Sequence, residues 1–323
     1  MKAYIHKLLL AAFAIALALP AMAKPNLIVV FIDDMGYGDI GPFGSKKNET
    51  PHLDRMAKEG MKLTSFYVAS SVCTPSRAAL MTGSYPRRVG LGQGSGHGVL
   101  FPGDPHGLHP NEITLAEMLK EAGYATGCFG KWHLGENHPY RPQDRGFTET
   151  VHHPAWGITS AADYFNNDYI HSRFRHNGVI QQYEGYCTDV WFDEAIDWVK
   201  SCSQRNQPFF VFLATNSPHW PYWVEDQYRT PYRHLKENVA SFLGMIANID
   251  MNMGKLERFL SENGLRENTI LIFMGDNGTA EGETVFNAGM RGKKATLYEG
   301  GHRVPFLLRW PAGKLQTSRD MDE

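Results

Sequence analysis

The sequence is short of several features that would each have narrowed its class. Only four of its 323 residues are cysteine (Cys73, Cys128, Cys187 and Cys202), too few for a fold built on disulfides. Cys187 and Cys202 read as lying near opposite ends of one helix, too far apart to bridge, and a chemical role for Cys73 would leave only three cysteines, so at most one disulfide is expected. Neither sign of charge dominates. With 32 Lys and Arg against 34 Asp and Glu the net charge is −2, which offers no footprint for nucleic acid or anionic lipid. No nucleic-acid partner is expected. There is no internal repeat and no low-complexity tract. Beyond the N terminus no apolar run reaches the length of a membrane span, and no stable membrane anchor is expected.

The single long apolar run lies at the start. Lys2 and Lys7 precede and flank Leu8 to Leu19, and Ala21-Met22-Ala23 follows as a small-residue cleavage site. This pattern is that of a secretory signal peptide over residues 1–23, cut before Lys24. The protein is therefore expected to be exported, periplasmic or secreted.

What remains is ordinary globular composition, 42% hydrophobic and 20% charged. Continuous β-branched or aromatic runs predict buried strands at Asn26 to Ile32, Lys62 to Val68, Tyr124 to Phe129, Pro208 to Thr215, Thr269 to Met274 and Val304 to Trp310. Helices are predicted from Thr50-Pro51 to Glu59, from Thr114 to Ala122, from Thr188 to about Ser201 and from Val239 to Glu262. Residues 84–112 read as loop. Residues 134–186 lack periodicity, carry many aromatics and contain Asn177-Gly178, and read as a decorated insertion. Strands alternating with helices predict an α/β fold, a large mostly parallel or mixed central sheet with helices on both faces.

Cys73-Thr74-Pro75-Ser76-Arg77 opens a further short helix. Thr74 suits its cap, Pro75 its first position and Gly83 its exit. Cys73 then sits just ahead of a helix N terminus, where backbone N–H groups favour negative charge, and Arg77 lies within the first turn.

Ligands of parallel sheets bind at the carboxyl ends of strands. Four predicted strands end in polar clusters: Asp33-Asp34, Lys131 with His133, His219, and Asp276-Asn277. Together with Cys73 and Arg77 they predict one rim. Asp33, Asp34, Asp276 and Asn277 offer only oxygens, which suits Ca²⁺ or Mg²⁺ better than Zn²⁺. Arg77, Lys131 and Lys294 (or its neighbour Lys293) add cations, so the substrate is expected to be an anion with several oxygens, a phosphate or sulfate ester. His133 and His219 suit acid–base work. His52, His97, His106, His152 and His153 read as structural or exposed, and His302 is left open.

These residues resemble a known family. The run Cys73 to Gly83 (C-T-P-S-R-A-A-L-M-T-G) is similar to the signature of type I sulfatases, within the alkaline-phosphatase-like superfamily. Gly292 to Gly301 (G-K-K-A-T-L-Y-E-G-G) resembles the second signature. Asp33-Asp34-Met35-Gly36, Gly130-Lys131-Trp132-His133, Pro218-His219 and Gly275-Asp276-Asn277-Gly278 match further family blocks in order. The resemblance covers about residues 25–311.

The resemblance implies hydrolysis of sulfate esters, on a sulfated carbohydrate as the expected substrate. It implies that a maturation enzyme converts Cys73 to Cα-formylglycine, whose hydrate is the nucleophile. Residue 73 then presents oxygens and joins Asp33, Asp34, Asp276 and Asn277 around a metal, Ca²⁺ in preference to Mg²⁺. One hydroxyl of the diol attacks sulfur, assisted by Arg77. His219 and Lys294 protonate or stabilise the leaving alcohol, Lys131 orients sulfate and diol, and His133 takes the proton of the second hydroxyl so that sulfate leaves and the aldehyde returns. A serine ester would instead need a second attack at sulfur.

The expected organisation is a signal peptide over 1–23, a catalytic domain over 24–311, and at 312–323 the start of a C-terminal region that family members continue into an antiparallel sheet. Two other readings stand beside the leading one. A phosphodiesterase or phosphonate hydrolase of the same superfamily would share the site. A non-catalytic fragment could bind sulfated glycans through Tyr140, Trp156, Tyr164, Tyr169 and Tyr183 with Arg173 and Arg175, although packing is the simpler reading of each.

Overall fold

A computed structural model describes residues 24–92, 98–158, 167–315 and 320–321. The expected signal peptide, His97, Tyr164 and residues 316–319, 322 and 323 of the C-terminal region lie outside them. Among the described residues no helix is long and apolar enough to cross a membrane.

Among the described residues ten strands form one sheet. In chain order they are β1 (Asn26–Ile32), β2 (Met61–Leu63), β3 (Ala125–Lys131), β4 (Glu149–His153), β5 (Arg173–His176), β6 (Val179–Gln182), β7 (Phe209–Ala214), β8 (Thr269–Gly275), β9 (Phe306–Arg309) and β10 (Asp320–Met321). Their order across the sheet is β10-β2-β9-β8-β1-β7-β3-β4-β5-β6. The centre, β8-β1-β7-β3-β4, is parallel throughout. β9 runs antiparallel to β8 and β2, and β5 and β6 add an antiparallel edge. The expected mixed α/β sheet is therefore present.

The longer helices are α1 (Pro51–Glu59), α2 (Cys73–Thr82), α3 (Leu115–Glu121), α4 (Cys187–Gln204) and α6 (Glu237–Glu262), with single turns α5 (Asp226–Arg229) and α7 (Glu299–His302). The alternation of β1 shows why helices cover both faces. Ile28, Val30 and Ile32 point into one core with Trp191 and Phe192 of α4 and Phe242, Met245 and Ile249 of α6. Val29 and Phe31 point into the other, with Ala78 and Met81 of α2 and Ala116 of α3. A strand buried on both faces needs apolar residues at every position, which is the run the sequence displays.

Several local expectations are corrected. Residues 134–186 are not an insertion beside the sheet, because β4, β5 and β6 lie within them and continue it. Pairing to β3 supplied what periodicity could not, although the Asn177-Gly178 turn does join β5 to β6. The strand expected from Lys62 to Val68 is regular only over Met61–Leu63. Thr50 does not cap α1 with its side chain, since its hydroxyl accepts from Gly41 N at 2.9 Å. Asp250 of α6 caps that helix instead, accepting from His52 N at 3.2 Å and Leu53 N at 2.8 Å. Thr188 turns its hydroxyl to Ser217 (2.9 Å) and does not cap α4. Thr114, at the predicted start of its helix, does cap α3, in a capping box with Glu117. All four cysteines are free and buried.

Candidate active site

β8, β1, β7 and β3 are adjacent and parallel, so their carboxyl ends form one rim. Asp33-Asp34 follow β1, Asp276-Asn277 follow β8, His219 lies beyond β7, and Lys131 ends β3 with His133 two residues on. The predicted convergence is what topology produces. Asp34 takes a left-handed backbone (φ 61°), which turns its N–H onto Asp276 Oδ1 at 3.0 Å. Gly278 allows the Asp276 loop to close against α7, because a Cβ there would meet Gly300 O at 1.8 Å. Gly130, at φ 103°, lies so near Ala214 O (2.0 Å from a built Cβ) that no side chain fits before Lys131.

Three carboxylates and three cations interlock. Lys131 Nζ lies 2.6 Å from Asp33 Oδ2, Arg77 Nη2 2.9 Å from Asp276 Oδ2, and Lys294 Nζ 2.6 Å from Asp34 Oδ1. Arg77 also donates to Lys131 O at 2.8 Å, and its guanidinium lies over the Phe31 ring, 5.3 Å from the centroid. Of the adjoining pair, Lys294 is thus the lysine that enters this site. Lys293 pairs with Glu283, 2.9 Å away. Burial opposes the charge of Asp33, yet Lys131, His219, Arg77 and Lys294 hold its carboxyl well below the usual range. Burial, reinforced by the Asp33 charge, pushes Asp276 up.

Oxygen atoms of Asp33, Asp34 and Asp276 lie within 4.8 Å of one another. Asp33 Oδ1 and Asn277 Oδ1 are buried without a hydrogen-bond partner. Buried acceptors are normally satisfied, so two orphaned oxygens beside three clustered carboxylates suit a hard cation. The residues present fit that group.

Cys73 is the first residue of α2 and is 3% exposed. Its thiol is raised by burial, against the pull of Lys131, and also feels Asp33, Lys294 and Asp276. It therefore lies in the cluster as a neutral thiol, neither an activated nucleophile nor a ligand for a hard cation. The expected Thr74 cap is corrected: α2 is preceded by Val72 without a side-chain cap. The Thr74 hydroxyl accepts from Leu100 N at 3.2 Å and lies 3.1 Å from His133 Nε2.

His133 Nε2 is 2.8 Å from Leu100 O. A carbonyl can only accept, so Nε2 carries the proton and Nδ1 presents a lone pair. That Nδ1 is buried and unpartnered. Burial, then Lys131, hold the ring well below the ordinary histidine range, hence neutral. His219 is fixed the opposite way. Its Nδ1 lies 2.6 Å from Trp220 O, so Nε2 faces Asp34 Oδ2 at 3.8 Å. Burial lowers His219 while Asp34 and Asp33 pull it back up.

Sequence reading missed Thr74 and the Leu100 carbonyl, which set the His133 tautomer, and Tyr169, whose hydroxyl donates to His219 O at 3.2 Å. Tyr169 is buried with φ 80°, a costly conformation for a side chain of that size. Only its aromatic character was visible beforehand. His302 is not in the site: its Nδ1 contacts Tyr298 O at 3.0 Å on α7.

A family model described as "Sulfatase" matches residues 25–322. N-acetylgalactosamine-6-sulfatase of Rattus norvegicus is 34% identical over 314 residues, covering 91% of this chain and 58% of that protein. Arylsulfatase A of Homo sapiens is 32% identical over 323 residues, covering 92% and 61%. The crystal structure of Ps i-CgsB in complex with k-i-k-neocarrahexaose is 33% identical with a TM-score of 0.81, covering 89% of this chain and 66% of that one. The chain thus spans about three-fifths of the length of these curated relatives.

Proposed function

This chain belongs to the sulfatase family, and from that premise we propose that it hydrolyses sulfate esters of carbohydrates, with residue 73 as the precursor of the nucleophile. The observation that supports this most is the pair of orphaned buried oxygens, Asp33 Oδ1 and Asn277 Oδ1, in a carboxylate cluster that also surrounds Cys73. A phosphate ester would suit the same cations. The family and the names of its relatives favour sulfate, and those names favour a sugar.

Asp33, Asp34, Asp276 and Asn277 would hold a divalent cation, Ca²⁺ by the all-oxygen donor set. Once bound, it supplies a Lewis acid that withdraws charge from the ester oxygens. Conversion of Cys73 to formylglycine supplies, as the hydrate, a hydroxyl nucleophile and an additional oxygen ligand.

The chain's own residues divide the rest of the work. Arg77 is held between Asp276 and Lys131 O and presents fixed positive charge beside residue 73. Lys131 and Lys294 bind and orient the sulfate oxygens. Lys294 Nζ, and His219 Nε2 once the ring is doubly protonated, both at Asp34, are placed to deliver a proton to the leaving alcohol oxygen. His133 Nδ1, with its lone pair free, accepts a proton from the residue 73 hydroxyl in the second half of the reaction. The N-terminal pattern over residues 1–23 supports export, and the maturation enzyme is the one partner this chemistry requires.

The test is mass spectrometry of the peptide carrying residue 73 after expression with a maturation enzyme, together with sulfate release from defined sulfated sugars. Modification accompanied by release is expected. An unmodified thiol with no release would sink the reading. Faster turnover of aryl phosphates than of aryl sulfates would transfer the site to phosphoester chemistry.

A further inference from the structure

We propose that Phe101 and Trp156 form an aromatic platform at the mouth of the site, on which the sugar ring next to the reacting sulfate stacks. The proposal rests on the sulfatase reading and adds the residues that recognise the carbohydrate.

Each of the two candidate histidines lies against the chain neighbour of one of these aromatics. Leu100 anchors His133 through its carbonyl, 2.8 Å from Nε2, and the next residue is Phe101. Gly157 lies against His219, where a built Cβ would be 3.4 Å from Nδ1 and 3.9 Å from Cε1, and the residue before it is Trp156. The two aromatics then meet edge to face, with centroids 5.0 Å apart and planes at 65°. The pair therefore spans the gap between the loop that holds His133 and the loop packed on His219.

Neither ring is used up by the core. Phe101 is 57% exposed, a large apolar surface for water to cover, and Trp156 is partly exposed. In the site that holds the two histidines, Arg77, Lys131 and Lys294 take the anionic group. A ligand matching both parts has an anionic ester on an otherwise uncharged ring with an apolar C–H face. A sulfated pyranose has that form. The charged part fixes it at residue 73, and stacking fixes the ring, which is the kind of contact aromatic side chains supply with little entropy loss.

The test uses Phe101→Ala, Trp156→Ala and Trp156→Leu, the last retaining apolar bulk if the alanine variant does not fold. The probes are a sulfated neocarrahexaose, its chemically desulfated form, and inorganic sulfate as a competitive inhibitor. The expected result is a rise of about tenfold in KM for the sulfated hexasaccharide, the order of one lost stacking contact. The inhibition constant of inorganic sulfate should stay within about twofold, because sulfate reaches only the cations. Calorimetry should show the desulfated hexasaccharide binding the parent protein and binding the variants more weakly. An unchanged KM, a sulfate inhibition constant that rises in step with KM, or no binding of the desulfated sugar by the parent would each overturn the platform. If the parent releases no sulfate yet binds the desulfated sugar through these two residues, the catalytic reading fails and the platform stands.

Discussion

The charge count at the site makes a quantitative prediction. Asp33, Asp34 and Asp276 are matched one to one by Lys131, Lys294 and Arg77, so the protein cluster is close to neutral when all six are ionised. A divalent cation placed among the three carboxylates adds two positive charges that nothing in the chain compensates. A sulfate dianion would cancel them. Metal and sulfate should therefore bind cooperatively. Opposite unit charges about 4 Å apart at an effective dielectric near 20 attract by about 4 kcal/mol. The carboxylates already share their charge with lysine and arginine, which reduces the gain. A coupling of about 1–3 kcal/mol is expected, a 5- to 150-fold tightening of sulfate by metal. The assay is calorimetric titration of inorganic sulfate into the chain freed of divalent ions and into the Ca²⁺-saturated chain. Linkage requires the reciprocal effect, sulfate tightening Ca²⁺ by the same factor. Asp276→Asn should abolish it by removing a proposed ligand and the partner of Arg77. A sulfate affinity that is the same with and without Ca²⁺, or weaker with it, would refute the charge argument.

Three further outcomes follow from the geometry. Lys294→Ala should lower kcat for sulfate ester hydrolysis by about 10²- to 10³-fold, as for loss of one preorganised charge-stabilising donor, whereas Lys293→Ala should stay within about twofold; comparable losses in steady-state kinetics would contradict the pairing of Lys294 with Asp34. Asp39 is buried, and burial, against hydrogen bonds from Thr279 and Gly36, raises its carboxyl from 3.8 to about 7. Because the native state holds this proton more tightly than the unfolded chain, its contribution favours folding at low pH. That contribution is lost as pH rises from about 4 to about 7, by up to about 4 kcal/mol. Urea unfolding of parent and Asp39→Asn at pH 5 and pH 8 should show a stability difference that changes in favour of the asparagine at the higher pH, and a constant difference would disprove it. Arg309 of β9 and Glu257 of α6 form an ion pair buried on both sides. Arg309→Met leaves Glu257 uncompensated and should cost about 3–5 kcal/mol, with Glu257→Leu added to it restoring much of the loss in thermal melts; a single-variant cost under about 1 kcal/mol would rule this out.

Much of the site was legible because it follows from strand endings. Asp33-Asp34, Lys131, His219 and Asp276-Asn277 each come just after an apolar run, and in a parallel sheet such endings share one rim whatever the details. The oxygen-only donor set and the surplus of cations were equally local facts. The chemistry proposed for the chain in outline, an anionic ester met by a hard cation, was therefore legible from residue type and position after each strand.

Other features needed the tertiary structure, because they depend on which of several equal partners a group finds. Thr74 looks like a cap by its place before Pro75, but the approach of His133 and Leu100 draws its hydroxyl elsewhere. The choice between Lys293 and Lys294 is invisible in a sequence where they adjoin, and is decided by Glu283 on one side and Asp34 on the other. β4, β5 and β6 carry no clean period, and exist because β3 offers β4 a backbone edge. Local propensity and pattern determine which segments become strands and where their polar ends fall. Only the packed chain decides which hydrogen-bonding group meets which, since that is settled by distances between residues far apart in sequence.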